Sequence, residues 1–421
     1  MRYLLEMRLI AAVLLAAASL VAADRNGSLP TPLLPPDNWW NQDISQAPID
    51  PRSPQFISFI NNGGLRRLHP DFGGYESPGS ANIYGFPFVV VTADQPKRAV
   101  RFYYADESDG VDAAGNSVPF YPIPDEAITQ PYGIEGGPPG SANPGGDRHM
   151  LIVDRDRRHL YELFDLRWDG SQWTAGSGAF FDLNTNARRP EGWTSADAAG
   201  LAILPGLVRY DEVMGADEIR HAFRVTVRAT NGYVWPASHR AGSNAQALPM
   251  GARLRLKASK DLSAYPPPLQ KVFRAMQRYG LIVADNGSDM FVSGAFDPRW
   301  NNDVLNPAFR SLNASDFDVV QLGWRMGPTS SSCNPPPPVS PLMFSQSGAF
   351  VVLVWGAAAG AEEYVIEVGS APGLSNLLVQ SLGRATTIST VAPPGRYHAR
   401  IRARNACGPG EASNEIVVTI Q

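Results

Sequence analysis

Glycine and proline interrupt this chain too often for long helices. There are 39 Gly and 37 Pro in 421 residues, and each interruption makes a turn the favoured continuation. A fold built from many short strands tolerates that punctuation. A helical bundle, or a parallel sheet covered by helices, needs repeated helical segments, and only one is plain. After Pro266-Pro267-Pro268, the residues Leu269, Val272, Phe273, Met276 and Tyr279 follow helical spacing, and Gly280 supplies the stop. The expected class is mainly β: a large antiparallel β-sandwich or barrel-like domain with few helices, followed by a second β-sandwich.

The N-terminus reads as an address. Arg2 and Arg8 precede Leu9 to Ala23, an almost unbroken apolar run. At about 15 residues it is short for a membrane span, and Val21-Ala22-Ala23 offers small residues for cleavage. Residues 1–23 are therefore read as a signal peptide, with an uncleaved anchor as the alternative. The mature chain is expected to begin near Asp24, to be secreted (extracellular or periplasmic), not to insert in a membrane after cleavage, and to be a monomer. The net charge of −4 argues against nucleic acid or an anionic membrane as partner, since both demand a basic face.

Residues 24–36 read as a flexible leader and 37–325 as the main β-rich, catalytic domain. Ser53-Pro54 opens a short helix to Asn61. Strands are expected over 85–91, 98–104, Trp173 to Phe181, Leu207 to Glu212, Leu281 to Ala284 and Met290 to Val292. His149 to Asp154 and His159 to Arg167 form a hairpin around Arg155 to Arg158. Phe223 to Arg228 and Tyr233 to Trp235 bracket Thr230-Asn231-Gly232, a second hairpin signal. Arg253 to Lys257 alternates with period two, as a half-exposed strand does. Residues 105–147 have few apolar runs and read as a long loop or set of turns.

At 326–340 the composition shifts to a stiff Pro/Ser-rich linker with four consecutive prolines. Beyond it stand Trp355 in a second strand, Tyr364 in a third, Tyr397 ahead of an alternating strand, and NACGPGEASNE before Ile416 to Ile420. On these residues, 341–421 resembles a fibronectin type III domain. The resemblance implies a seven-stranded sandwich serving as spacer or binding module. It also implies that Cys333 and Cys407, at one pole of such a sandwich, are bonded to each other. The segments GWTSADAAGLAILPGLVRYDEV and YGLIVADNGSDMFVSG look like a group of exported bacterial proteins, a likeness that assigns no activity.

The candidate site is the stretch Gly176 to Val213, dense in polar side chains and broken by Gly and Pro, as loops at the mouth of a rigid scaffold are. Asp182, Asp197, Asp211 and Glu212 are the candidate catalytic carboxyls. His149 and His221 are the candidate acid/base histidines. Trp193, Arg188, Arg209, Asn184 and Asn186 are the candidate substrate-binding residues. Each has a plainer reading. Thr194-Ser195-Ala196-Asp197 matches a helix capping box. Arg209 and Asp211 share a strand face and could form a structural pair. Asp182-Leu183-Asn184-Thr185-Asn186 resembles half a calcium loop, but Ala187 and Trp193 stand where an EF-hand needs Gly and Glu, so its side chains could simply bond their own turn. No histidine pair has zinc spacing, so no metal or other cofactor is assigned, with a structural calcium ion left open.

Carboxylates beside aromatic rings, on an exported β-rich body, point to polysaccharide or another extracellular polymer as partner. Three functions stay open: a secreted carbohydrate-active enzyme, most simply a glycoside hydrolase using paired carboxylates; a non-catalytic carbohydrate- or matrix-binding protein; and a metal-assisted hydrolase.

Overall fold

The computed structural model describes residues 24–25, 27–142, 144–325, 335–405 and 408–421. The apolar segment Leu9 to Ala23, residues 326–334 of the linker, and both Cys333 and Cys407 lie outside the described residues. In chain order the main region contains Asp24–Arg25 (β1), Ser53–Asn61 (α1), His69–Asp71 (β2), Phe88–Val91 (β3), Val100–Phe102 (β4), Met150–Asp154 (β5) and His159–Phe164 (β6). Arg167–Trp168 (β7), Trp173–Ala175 (β8), Ser177–Asp182 (β9), Tyr210–Met214 (α2), Phe223–Val227 (β10) and Arg253–Leu256 (β11) follow. Pro267–Arg278 (α3), Leu281–Asn286 (β12), Phe291–Ser293 (β13), Asn302–Arg310 (α4) and Phe317–Val319 (β14) complete it.

Among the described residues these strands form three sheets. The middle one has the order β1-β3-β5-β6-β9. Every residue of β3 and β5 is buried, because apolar side chains on both faces meet a core. Phe88, Val90, Leu151, Val153 and Leu160 face the larger core. Val89, Val91, Met150, Ile152, Tyr161 and Leu163 face a second core, shared with Val100, Phe102 and Trp173 of the small sheet β4-β8-β7. The larger core is closed by the six-stranded sheet β14-β11-β12-β10-β13-β2 and by Leu269, Val272, Phe273 and Met276 of α3. Gly280 ends that helix at φ +78°, where an added Cβ would lie 2.6 Å from the Leu254 carbonyl oxygen. Only glycine turns so tightly from helix into β12.

The β-dominated class and the 150–164 hairpin are as expected. The pairing, however, is mixed: β3·β5, β4·β8, β10·β12 and β13·β2 are parallel. Strands buried on both faces suit parallel pairing, and long excursions such as 92–149 supply the crossovers. Trp173 to Phe181 is two strands in different sheets, broken at Gly176, where a Cβ would come within 2.6 Å of the Phe164 ring. No hairpin closes at Thr230-Asn231-Gly232; β10 pairs with β12 and β13 instead, and Tyr233 bridges to Met250. β11 is largely buried, not half-exposed, since it lies inside the sheet. The leader is docked: Asp24–Arg25 pair with β3, and Leu29, Leu33 and Leu34 pack on the larger core.

The C-terminal strands are Leu342–Ser347 (β15), Phe350–Trp355 (β16), Glu363–Gly369 (β17), Leu378–Ser381 (β18), Thr387–Val391 (β19), Gly395–Asn405 (β20), Gly408–Ala412 (β21) and Ile416–Ile420 (β22). One sheet runs β15-β16-β19; the other runs β18-β17-β20, with β21 and β22 both on β20. The last strand of the expected seven is thus split. Trp355, Tyr364, Ile366, Ile401 and Val418 fill the core, with the Trp355 and Tyr364 rings edge to face at 5.8 Å. Tyr397 donates its hydroxyl to the Pro393 carbonyl at 2.9 Å, a hydroxyl-to-upstream-backbone bond of the kind seen at tyrosine corners.

Candidate functional site

Ionisable side chains inside apolar strands mark the place where the two large sheets meet. On the six-stranded sheet, Arg224 of β10 donates to Ser293 Oγ of β13 at 2.6 Å, and Ser293 lies in register with Asp71 of β2. Arg224, Ser293 and Asp71 therefore form a row across three neighbouring strands. Asp285 of β12 joins them through an irregularity. Val225 pairs with Val283, but Thr226 pairs with Asp285, so Ala284 is an extra residue. Strict alternation from Ile282, opposite Arg224, would turn Asp285 away; the bulge returns it to the Arg224 side, 3.1 Å from Nη2.

From the facing loop, Asp197 receives Arg224 Nε and Nη2 at 2.9 Å each, a two-pronged pair with side chains 3% and 0% exposed. Beside it His149, at the entry to β5, reaches Glu135 Oε2 with Nδ1 at 2.6 Å and the Ala196 carbonyl with Nε2 at 2.9 Å. The Phe86 ring lies between, 5.3 Å from the His149 ring and 5.3 Å from the Arg224 guanidinium carbon. Glu162 of β6 accepts the backbone N–H groups of Ile203 and Leu204. Arg148, itself buried, donates to the Glu135, Pro138 and Pro139 carbonyls and so holds the loop that carries Glu135.

The environments set different protonation states. Burial would lower His149, but the Glu135 charge and hydrogen bond raise it to about 9. Glu135 answers in the other sense: burial would raise it, and His149 holds it below its ordinary range. A carbonyl cannot donate and Glu135 is held ionised, so His149 makes both bonds as an imidazolium. It positions Glu135 and leaves no nitrogen free for a substrate. Burial pushes Glu162 to about 7 against its two backbone donors. Burial and the Asp197 charge push Asp285 to about 6, against Arg224. Asp71 reaches water, yet the protein crowds out enough hydration to raise its carboxyl, against Arg224 and with help from the Glu135 charge. The members open to solvent are Asp71, Glu135 and Asp285, the last two with about a quarter of the side chain exposed.

Of the residues expected from the sequence, Asp197 and His149 join this cluster. Asp197 is not in a capping box, since 194–200 form turns rather than a helix; its carboxylate is bound to Arg224. Leu207 to Glu212 is not a strand. Val208 makes a single bridge to Gly294, and α2 starts at Tyr210, so Asp211 and Glu212 stand in a first helical turn. There they form a second cluster. Arg209 Nη2 lies 2.5 Å from Glu212 and Nε 3.4 Å from Asp211, and His221 Nε2 lies 3.0 Å from Glu212. Burial would raise Glu212, but His221 and Arg209 bring it down to about 2. His221 Nδ1 faces its neighbour's carbonyl, Ala222, at 2.9 Å.

Asp182 accepts from Asn184 N and Nδ2, Asn184 accepts from Arg158, and Asn186 accepts from Asn38. These oxygens bond protein donors, and among the described residues no three His, Cys, Asp or Glu groups gather as a metal site. Arg188 donates to the Pro236 and Ala237 carbonyls. Trp193 is half-buried beneath Arg189, 5.2 Å from its ring. The stretch Gly176 to Val213 thus feeds two clusters and several structural ties rather than one cleft. Sequence reasoning missed Asp71, Glu135, Glu162 and Arg224 and ended the strand Leu281 to Ala284 just before Asp285. A signal was present for three of them: a lone charge within HLYELF, AFRVTV and LIVADN.

No protein-family model matches the chain, and the search of curated proteins finds no match. Solved structures similar to part of it are fibronectin type III domains. The FN5 domain of Drosophila Lar is 17% identical over 20% of this chain and 96% of that chain, with a TM-score of 0.18. A Fn3-like protein from Clostridium thermocellum is 20% identical over 22% of this chain and 96% of that one, at 0.17. The domain FN3tt is 18% identical over 21% and 98%, at 0.19. The fibronectin type III-like character of residues 341–421 stands on their own strand pairing, core and Tyr397 contact.

Proposed function

We propose that the main region is an exported acid–base enzyme acting on a polysaccharide, most simply a glycoside hydrolase, with Asp71 as proton donor and Glu135 as the ionised carboxylate. One observation carries this reading. Two water-accessible carboxyls that feel the same Arg224 charge are driven apart in proton affinity, Asp71 upward by burial and Glu135 downward by His149. Environments that separate two carboxyls in this way assign acid and base roles. Asp285 is a less suitable partner for Asp71. Three strand steps of roughly 4.8 Å separate their backbones, whereas glycosidase carboxyls stand about 5–9.5 Å apart. Arg224 sets the positive charge that both carboxyls feel, and Asp197, Arg148 and His149 hold the constellation in place.

The test is incubation of the mature protein with a panel of polysaccharides, with and without chelator, against Asp71→Asn. Reducing ends released by the wild type and lost in the variant support the reading. Chelator-sensitive release that Asp71→Asn leaves intact would replace it with metal-assisted hydrolysis. Binding without release would make the region a glycan-binding module.

A further inference from the structure

The second cluster borders a cavity of about 120 Å³. Arg209 and Asp211 line one side, Asp297 and Arg299 another, and the rings of Phe88 and Phe296 form apolar walls. The Arg209 side chain is only 8% exposed. Its Nη2 is held by Glu212, but its Nε has no hydrogen-bond acceptor; Asp211 at 3.4 Å makes an ion pair without a hydrogen bond. A buried donor left unmade is costly, and the guanidinium that carries it lines the cavity. Arg299 is different: it binds Asp297 at 2.8 and 2.6 Å and covers the Tyr210 ring at 4.2 Å.

Charge decides the class of ligand. Two guanidinium groups, Arg209 and Arg299, face two carboxylates, Asp211 and Asp297, so the lining carries no net charge to hold an anion. A neutral molecule rich in hydroxyls suits it better. Its oxygens accept from the Arg209 guanidinium that lines the cavity, its hydroxyl hydrogens meet Asp211 and Asp297, and its C–H face lies on the phenyl rings. The volume falls well below the roughly 300–1,000 Å³ of drug-sized pockets, so it takes one ring rather than a chain. The pocket adjoins the acid cluster along two segments. Phe88 lies roughly 7 Å along extended chain from Phe86, whose ring touches Arg224 and His149. Ala295 to Asp297 begin two residues after Ser293, the Arg224 partner.

We propose that this pocket is a subsite for a single neutral sugar unit beside the acid cluster, so that the polymer recognised is a neutral glycan rather than a uronic-acid polymer. This rests on the glycan reading above. The experiment measures binding of cello-, xylo-, manno- and malto-oligosaccharides and of an oligogalacturonate to the full-length protein by calorimetry and saturation-transfer NMR. Ala295→Leu fills the cavity, Arg209→Lys removes the guanidinium from its wall, and Arg299→Ala alters an exposed wall residue.

One neutral series is expected to bind, about tenfold more weakly in Ala295→Leu and Arg209→Lys and less affected in Arg299→Ala. Preference for the galacturonate, no binding of any neutral series, or binding indifferent to all three variants would overturn the subsite. The two readings fail separately. Pocket-sensitive binding without cleavage removes the hydrolase and keeps the subsite. Cleavage whose KM ignores the pocket variants does the reverse.

Discussion

In the C-terminal sandwich, Glu367 bridges Arg400 and Arg402 on the outer face of one sheet, and Glu363 pairs with Arg404 beside them. In the main region, Arg224 and Asp197 meet where water does not reach, and Glu162 is enclosed with only backbone donors. Both regions are β-structures with well-filled cores. The sandwich keeps its ion pairs off the core, on the outer faces of its sheets and partly covered at Glu367–Arg400 and His398–Glu415, and fills that core with Trp355, Tyr364 and Ile401. The main region buries charges that well-packed apolar residues could replace without loss of stability. Such buried charges cluster at functional sites, and the contrast is what supports the proposed site in the main region.

The sharpest way to break this contrast is through activity. Asp71→Asn and Glu135→Gln are expected to lower turnover by about 10²–10⁴-fold, the range of acid–base catalysis, with a nearly unchanged melting temperature for Asp71→Asn. Asp182→Asn, whose carboxylate accepts from Asn184 in its own turn, should leave turnover close to wild type. Initial rates on the substrate found in the polysaccharide panel decide this, and equal losses in all three variants would return the site to the Gly176 to Val213 stretch.

Stability comes next. Asp197→Ala leaves the buried Arg224 guanidinium without its two-pronged partner and should cost about 3–5 kcal/mol. Calorimetry should show the main-region transition shifting while that of the sandwich stays. Similar shifts in both would mean that the regions unfold as one cooperative unit.

Glu162 and His149 in the main region should answer pH with the sign opposite to Glu415 in the sandwich. Glu162 is raised from its ordinary 4.5 to about 7. Its contribution is fully present below pH 4.5 and is lost as pH rises through 7, on the order of 3 kcal/mol across that window. His149, raised to about 9, acts in the same direction between pH 6.5 and 9. In the sandwich, Glu415 is held below its ordinary range by the Gly373 N–H and by His398. Its contribution is present above that range and lost on acidification. Glu162→Gln should flatten the main-region profile between pH 5 and 8 and leave the sandwich profile alone. An unchanged slope in urea melts across that range would contradict the assignment.

The smallest effect belongs to the sandwich surface. Glu363→Ala removes one half-exposed ion pair and should change stability by no more than about 1 kcal/mol. A loss as large as that of Asp197→Ala would erase the distinction between the two regions.

How far the chain could be read before folding varies along it for physical reasons. The helix ending at Gly280, the Met150 to Phe164 hairpin and the C-terminal sandwich were legible because local spacing and local turns specify them. Leu207 to Glu212 misled because its apolar start suggests a strand, while Tyr210 to Met214 closes a helical turn that Lys271 braces through the Glu212 and Gly215 carbonyls. Asp197 and His149 stood out as polar residues, but nothing local joins them to residues 71, 135, 224 and 285.

By itself the sequence determined the β-rich class, the separation of a compact C-terminal sandwich from a larger body, and where most strands lie, because period, glycine and proline act over a few residues. The tertiary structure alone decided which strands run parallel, that a bulge at Ala284 turns Asp285 toward Arg224, and that Glu135 meets His149. Those outcomes depend on contacts between segments tens to hundreds of residues apart. A carboxyl's affinity for its proton follows from the charges and water around it, and no local pattern in the chain carries that information.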